Sequence, residues 1–426
     1  MVVGIIIGAA IFVQPAEINR HVPSFPGMFA VWLVAGLLTL AGALVCAELS
    51  AAFPRTGGVY VFLKETLSPG WGFLWSWAMF WNVHSGIIAA TSVILARHVG
   101  VFLALDDQGA RLTAIAGIVL LSAINYAGVR QGSVLQTVVT AAKLLAILVI
   151  LVLVFVFGPP AARSAAPSAA PGVPIGEFVL AVSAGLFAFG GWHMVAYAAG
   201  ETRDPEKTIP RALLIGTLTV TACYVALNAA YLYLLPLERV VSSTRVAADA
   251  AQALAGSRGA GAVSALVILS SLGVLNGVIL AGPRMYFAMA QEGLAFRWMG
   301  ALHSRFRTPH LATIAQAVWS SFLVATGTYR ELFTRVIYTE WFFFALMTVG
   351  LLRLRRRSSH VSPLRGTGAL VPLLFIAGSL TVVCCQIAAD PAHAASGLVL
   401  VVLGWPVYLV WVRRGAPRRF GARANH

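Results

Sequence analysis

Apolar stretches of about 20 residues, the length that a helix needs to cross a bilayer, recur along almost the whole of this 426-residue chain. Hydrophobic residues make up 59% of the chain and charged residues 11%, whereas soluble proteins carry about a quarter charged residues. The sequence therefore predicts an all-α integral membrane protein with about twelve transmembrane helices. The predicted spans are residues 1–20, 27–53, 70–98, 112–127, 133–158, 176–200, 209–236, 260–290, 309–328, 333–353, 368–389 and 394–413.

The lysines and arginines are distributed unevenly between the two sides of these spans. With the N-terminus in the cytoplasm, 20 of the 30 basic residues lie on the cytoplasmic side, 9 lie outside and one, Lys143, lies within the membrane. Because basic loops are retained in the cytoplasm, we expect a multi-pass protein of the plasma (inner) membrane with both termini cytoplasmic. The same bias accounts for the net charge of +15, so no nucleic-acid partner is expected.

Three segments differ from the spans in composition or length. Residues 158–174 are rich in proline, alanine and serine and predict a flexible extracellular linker. Residues 414–426 predict a basic cytoplasmic tail. The first apolar run ends at Pro15 and is short for a span. We therefore expect that the chain as given lacks a cytoplasmic N-terminal tail and the first turns of helix 1.

Two glycine-containing breaks, about 180 residues apart, interrupt the predicted helices of spans 1 and 6, and neither half shows another. They are Gly8-Ala9-Ala10 and the Gly190-Gly191 pair. Every backbone amide and carbonyl in a bilayer needs a partner, so a loosened helix is tolerated only where it lines a cavity or a ligand. Breaks at matching positions of two halves are typical of the binding site of a secondary transporter.

Each break also has an interpretation that involves no ligand. Amides after Gly8 would suit a carboxylate, but Gly4-x-x-x-Gly8 also fits close helix packing. Carbonyls near Gly190 would suit an ammonium group under aromatic side chains, but a kinked helix with core aromatics is the alternative. The pair of breaks favours a site, with Phe187, Phe189 and Trp192 covering the ligand.

Four polar residues within the spans are further candidates. Lys143 lies about one-third of the way into span 5, where a lysine costs several kcal/mol unless it is paired or solvated. It either snorkels to the cytoplasmic face or replaces a bound cation and exchanges a proton. Glu340 is either an interfacial carboxylate, paired with Arg335, or a transport residue. His193 and Asn276 each contact a ligand or form structural hydrogen bonds.

Two glutamates lie at predicted helix ends. Glu48 and Glu201 either form gate contacts with nearby arginines such as Arg55 and Arg203 or are simply solvated.

Several motifs together resemble the amino acid–polyamine–organocation (APC) superfamily, and within it the bacterial relatives of the L-type amino acid transporters. The resemblance covers nearly the whole chain. The motifs are Val3 to Pro15 in helix 1, Ala47-Glu48-Leu49 and Pro54 to Tyr60 around the first cytoplasmic loop, Thr140 to Leu145 in helix 5, Gly185 to Trp192 with Glu201 to Pro205 and Ile209-Pro210 around helix 6, and Leu275-Asn276-Gly277 with Arg284 and Glu292-Gly293 around helix 8.

The resemblance implies a LeuT-like fold, a 5+5 inverted repeat plus two C-terminal helices, with helices 1 and 6 broken. The single domain would span residues 1–413, with repeats at 1–158 and 176–353 and the extra helices at 368–413. An α-amino acid would bind between helices 1 and 6, with Phe187 as an aromatic gate and Lys143 in the place of a coupling sodium ion. The implied substrate residues are Ile6, Gly8, Ala9, Ala10, Phe187, Ala188, Gly190, Trp192, His193 and Asn276.

The chain departs from the family pattern at Gly8-Ala9-Ala10, where Gly-Ser-Gly is usual, and so lacks a hydroxyl that would contact a carboxylate. The implied function is a sodium-independent, secondary active permease for small or neutral L-amino acids, working by exchange or proton coupling. The alternatives are a polyamine or cationic amino acid carrier and a non-transporting amino acid sensor. No enzyme constellation, metal or cofactor is expected.

Overall fold

The computed structural model describes residues 2–55, 57–127, 133–158, 172–357 and 368–413, and the secondary structure in these ranges is helical, without strands. Residues 159–171 of the predicted linker and the predicted tail, 414–426, lie outside them. The helices are α1 (Val2–Ile6), α2 (Gln14–His21), α3 (Phe25–Ala52), α4 (Val59–Thr66), α5 (Pro69–Ala78), α6 (Ser85–Leu103), α7 (Asp107–Tyr126), α8 (Ser133–Phe157), α9 (Ile175–Ala188), α10 (Pro205–Leu234), α11 (Leu237–Ser242), α12 (Val246–Gln291), α13 (His310–Thr326), α14 (Tyr329–Arg357), α15 (Leu370–Ala389), α16 (Pro391–Val402) and α17 (Gly404–Arg413).

The described ranges contain nine helical segments that are long and apolar enough to cross a membrane. They confirm the predicted all-α membrane architecture. Three other predicted spans fall outside this set, so the count of twelve stays a prediction. Span 1 is broken, span 5 has a shorter apolar part at Lys143–Phe157, and α13 has 17 residues.

Exposed apolar side chains on α8 identify the face that meets lipid. Leu148 and Val152 are exposed, whereas Ile147 and Val154 are buried against neighbouring helices. Leucine and valine side chains are as apolar as acyl chains, so their exposure to lipid carries no free-energy penalty. A lipid-facing stripe on one side of the helix is therefore stable in a bilayer. This arrangement turns the opposite stripe, which carries Lys143, toward the protein interior.

The described structure also contains two irregular segments besides the predicted breaks. A π-helical turn at Met79–His84 joins α5 to α6, and the Ser85 hydroxyl donates to the Phe80 carbonyl at 2.6 Å, five residues back. A second kink lies at Ala255 and Gly256 within α12. The expectation that neither half shows another break is therefore wrong, because π-turns form without glycine when side chains satisfy the displaced carbonyls.

Candidate functional site

The first break opens between α1 and α2. α1 ends at Ile6, and a short 3-10 turn over Ala10–Phe12 leads into α2. The Gly8 amide donates to the Ile6 carbonyl at 2.7 Å, a tight turn that replaces the helical bond. The predicted interruption of helix 1 is thus confirmed at Gly8.

The second break follows α9, which ends at Ala188. The Gly190 amide donates to the Phe187 carbonyl at 3.1 Å, and Gly191 has a φ of 90°, a conformation that glycine adopts without steric cost. A 3-10 segment, Trp192–Glu201, continues the chain. The predicted interruption of helix 6 is also confirmed.

Tyr224, in the middle of α10, joins the two breaks. Its hydroxyl lies 3.0 Å from the Ile6 carbonyl oxygen and 2.9 Å from the Ala188 carbonyl oxygen, the last residues of α1 and α9. The ring is fully buried against Trp32 and Phe189, with centroids 5.4 and 5.0 Å away. One hydroxyl therefore fixes the relative position of the two helix ends, a contact that no sequence motif indicated.

Replacing Tyr224 with phenylalanine tests this bridge. The ring packing is retained while the two buried carbonyls lose the one hydroxyl donor that they share, and an unmet buried hydrogen bond costs about 1–3 kcal/mol. We expect a lower melting temperature and a substrate affinity reduced about tenfold or more, measured by thermal unfolding with and without amino acid. Tyr231→Phe, seven residues along the same helix, is the matched control and should leave affinity unchanged.

A cavity lies between the breaks. It brings together most of the predicted substrate residues, and their role in binding stays a prediction. The lining residues are Ile6, Gly8, Ala9, Ala10, Ile87, Thr91, Phe187, Ala188, Gly190, Gly191, Met194, Val274, Val278, Val336 and Glu340.

Three predicted substrate residues, Trp192, His193 and Asn276, do not line this cavity. Asn276 lies two positions from both Val274 and Val278, which do line it, so its side chain points about 200° around the helix from theirs. It accepts a hydrogen bond from the Asn125 amide at 2.8 Å. Asn276 therefore joins α7 to α12 rather than facing the cavity.

Trp192 and His193 pack behind the second break. The Trp192 ring lies 4.9 Å from Phe344 between centroids, and His193 lies 5.1 Å from the same ring. The 3-10 winding after Gly191 turns both side chains toward α14 and away from the cavity. The aromatic cover predicted from Trp192 is thus part of the core, while Phe187 does line the cavity.

Glu340 is buried inside the protein and lines the cavity. It is the twelfth residue of α14, about 17 Å from the helix start, and its side chain is 2% exposed. Its recorded ionic neighbour is His193, with 3.9 Å between Oε1 and Nε2, and not Arg335. Because its carboxyl group is buried in the protein and lines the cavity, Glu340 does not fit the interpretation as an interfacial carboxylate paired with Arg335.

A stripe along α14 carries Glu340 into the site. Tyr329, Phe333, Val336 and Glu340 follow the spacing of one helix face. Phe187 packs on the first two, with ring centroids 6.4 and 5.5 Å apart. This aromatic layer lies at the Tyr329 end of the stripe, next to the cavity-lining Val336 and Glu340. The four-and-three spacing was the sequence signal that could have identified Glu340.

Lys143 does not snorkel to a membrane face. Its side chain is 6% exposed, and its Nζ lies 3.4 Å from the Ile7 carbonyl oxygen, at the helix 1 break. The distance is long for a hydrogen bond, but it brings a cationic group to the backbone next to Ile6 and Gly8. Of the two interpretations of Lys143, the structure favours the one that links it to the site.

Ion pairs connect helices at both ends of α14. Near its start, Arg330 contacts Glu17 of α2 at 2.6 and 3.0 Å. Near its end, about 37 Å away along the helix, Arg355 contacts Glu48 of α3 at 2.5 and 2.8 Å. The predicted partner of Glu48, Arg55, instead lies 3.2 Å from Glu65.

Further polar contacts close the end where Glu48 lies. Glu292, after α12, accepts hydrogen bonds from the Tyr60 hydroxyl and from Lys64, the latter at 3.1 Å. Burial and the Glu292 carboxylate raise the pKa of Tyr60, so the phenol stays a donor. The predicted gate contact of Glu201 falls outside the described side chains.

Comparisons with known proteins agree with this geometry. Residues 1–411 match the family model described as amino acid permease. The chain is 32% identical to the serine/threonine exchanger SteT of Bacillus subtilis (strain 168), over 98% of this chain and 95% of that protein. It is 28% identical to the Homo sapiens cystine/glutamate transporter, over 99% and 85%, and 29% identical to the Oryctolagus cuniculus large neutral amino acids transporter small subunit 2, over 97% and 78%. The chain belongs to the amino acid permease family, and it is a multi-pass membrane transporter rather than an enzyme.

Proposed function

We propose that this permease exchanges small or neutral L-amino acids across the plasma (inner) membrane by alternating access and without sodium. The observation that carries the proposal is the cavity between two broken helices, whose ends Tyr224 holds together through the Ile6 and Ala188 carbonyls. Loosened backbone at membrane depth offers both amides and carbonyls, the two kinds of group that the α-carboxylate and α-amine of an amino acid require.

In this proposal the substrate backbone binds to the main chain of the breaks. The carboxylate meets amides near Ala9 and Ala10, because the Gly8 amide is already bonded to the Ile6 carbonyl. The amine meets the carbonyls of Ile6, Phe187 or Gly190. The Phe187 carbonyl accepts one bond, from the Gly190 amide, but a carbonyl oxygen has two lone pairs and accepts a second. The Ile6 carbonyl already faces two donors, the Gly8 amide and the Tyr224 hydroxyl, so it is open to the amine only while Tyr224 donates to the Ala188 carbonyl.

Sodium independence rests on Lys143. Its ammonium group is a fixed positive charge beside the helix 1 break, 3.4 Å from the Ile7 carbonyl oxygen. A cation that belongs to the protein removes the need for a bound metal ion at the same carbonyl.

Alternating access needs a closure on each side of the cavity. We place the Glu17–Arg330 pair and the Phe187 layer on the outside and the Glu48–Arg355 pair on the cytoplasmic side, with both termini cytoplasmic as the basic residues predict. Opening one set of contacts while the other holds moves the broken helices against α14. Residues 1–413 would then act as one domain with two inverted repeats.

Exchange is tested by uptake into proteoliposomes. Purified protein is reconstituted with or without internal unlabelled amino acid, and uptake is measured for a labelled panel that includes serine, alanine, leucine and lysine. We expect uptake that requires internal amino acid and persists when potassium replaces sodium. Uptake that needs sodium, or that proceeds equally into empty vesicles, would contradict the proposal.

One observation supports a second candidate, a carrier of cationic amino acids or polyamines. Glu340 puts a carboxyl group on the cavity wall, and such a group suits an ammonium side chain. Transport of lysine or putrescine in preference to serine and alanine would favour this candidate.

A further inference from the structure

Arg97 has hydrogen-bonding capacity that the described part of the protein does not use. It lies six residues before the end of α6 and is half-buried. Its guanidinium group lies against the ring of Tyr329, with 5.3 Å between Cζ and the ring centroid, and within the described ranges it has no hydrogen-bond acceptor and no ion pair. A guanidinium group carries five N–H donors, so stacking on an aromatic face leaves them available to a ligand.

Tyr329 connects Arg97 to the cavity. Its ring lies 6.4 Å from that of Phe187 and 5.5 Å from that of Phe333, between centroids, and Phe187 lines the cavity. Thr91, on the same helix as Arg97, lines it as well, about 9 Å away along the helix axis. The guanidinium group therefore lies one aromatic ring from the cavity wall, at the layer that the proposed function places on the outside.

The arginines around this layer, unlike Arg97, already have acceptors. Arg330 and Arg20 both contact the Glu17 carboxylate, at 2.6 and 2.9 Å, so one carboxylate serves two guanidinium groups. Asp107, the other acidic neighbour of Arg97, is exposed, and solvent screens its charge. These five side chains together carry a net positive charge, which favours an anionic ligand.

The α-carboxylate is the anionic group that every amino acid carries. A guanidinium group binds a carboxylate through two parallel N–H···O bonds, and a guanidinium that already lies on an aromatic ring loses little freedom when it does so. The position of Arg97 outside the aromatic layer makes this a contact for the incoming substrate, and opening of the layer would then pass the carboxylate to the amides of the breaks.

We propose that Arg97 binds the α-carboxylate of an amino acid that arrives from outside, before the substrate passes the aromatic layer of Phe187, Tyr329 and Phe333. This inference rests on the proposed function and adds to it an outer binding step. Arg97 then sets the affinity for external substrate and leaves binding from the cytoplasmic side unchanged.

The test measures the KM of exchange separately from each side of the membrane. Intact cells that express the permease give the external KM, and inverted vesicles of their membranes, loaded with unlabelled amino acid, give the cytoplasmic KM. Arg97→Gln removes the charge and the guanidinium fork. It should raise the external KM about tenfold and leave the cytoplasmic KM and both maximal rates within about twofold.

Arg111→Gln is the matched control. Arg111 is an exposed arginine that is predicted to lie on the same side of the membrane, and it donates to the Ala325 carbonyl at 3.2 Å. Its replacement changes the charge of that side equally and should leave both KM values as in the wild-type protein.

The outcomes separate this inference from the proposed function. An unchanged external KM in Arg97→Gln would overturn the inference, as would an equal rise of both KM values, which indicates a structural role. If Arg97→Gln does not fold by thermal unfolding, Arg97→Lys, which keeps the charge without the planar fork, takes its place with a several-fold rise of the external KM alone. A wild-type protein that takes up no amino acid would instead contradict the proposed function, and this inference with it.

Discussion

Lys143→Ala is expected to reduce amino acid exchange at least about 100-fold while the protein still folds. The substitution removes the cationic group that lies 3.4 Å from the Ile7 carbonyl oxygen and leaves the helix 1 break without its fixed positive charge. The Ile7 carbonyl oxygen then loses its cationic neighbour, and the transport cycle loses the group that is proposed to replace a bound cation. Uptake into amino-acid-loaded proteoliposomes, recorded across a range of pH, measures the effect.

A lipid-facing position on the same helix provides the control. Leu148 is 57% exposed, so Leu148→Ala should leave uptake within about twofold of the wild-type rate. If Lys143→Ala retains both the rate and the pH profile of the wild-type protein, the coupling role proposed for Lys143 is refuted.

Gly190→Val is expected to abolish substrate binding. A Cβ at this position would lie 3.1 Å from the Phe187 carbonyl oxygen, so that neighbour must shift. The branched methyl groups would also enter the cavity that the residue lines. Both effects disturb the backbone carbonyls that are proposed to bind the substrate amine. Thermal-shift titration with amino acids and proteoliposome uptake measure the loss.

Gly273→Val is the matched substitution. A Cβ there meets nothing within 4 Å, and Gly273 is on an exposed part of α12. This variant should bind amino acids as the wild-type protein does. Normal amino acid affinity in Gly190→Val would count against the site between the breaks.

The breaks themselves could be predicted because their cause is local. Glycine at residues 8, 190 and 191 weakens a helix wherever it is placed, and a bilayer tolerates a weakened helix at few positions. The helix 1 and helix 6 interruptions are confirmed for that reason. The π-turn at Met79–His84 escaped prediction because it depends on a side-chain hydrogen bond from Ser85 and not on a residue with unusual backbone freedom.

Which side chains face the cavity depends on how each helix is rotated about its axis. The sequence predicted this rotation less well than the breaks. The family resemblance implied Asn276 as a substrate residue, whereas its polarity alone left a structural role open, and its face of α12 meets Asn125. The sequence left Glu340 as either an interfacial carboxylate or a transport residue, and the structure buries it on the cavity wall. One turn of helix shifts a residue by about 5.4 Å along the helix axis. Side chains two positions apart point to nearly opposite sides of the helix.

Composition and local pattern alone therefore determined that the chain is a helical membrane protein with two broken spans and a lysine within span 5. These properties follow from hydropathy and backbone propensity, which act over one helix at a time. The tertiary structure alone decided that Tyr224 joins the breaks, that Arg355 and not Arg55 pairs with Glu48, and that Glu340 faces the cavity. Such contacts join residues far apart in the chain, and the packing and rotation of whole helices decide which of them meet.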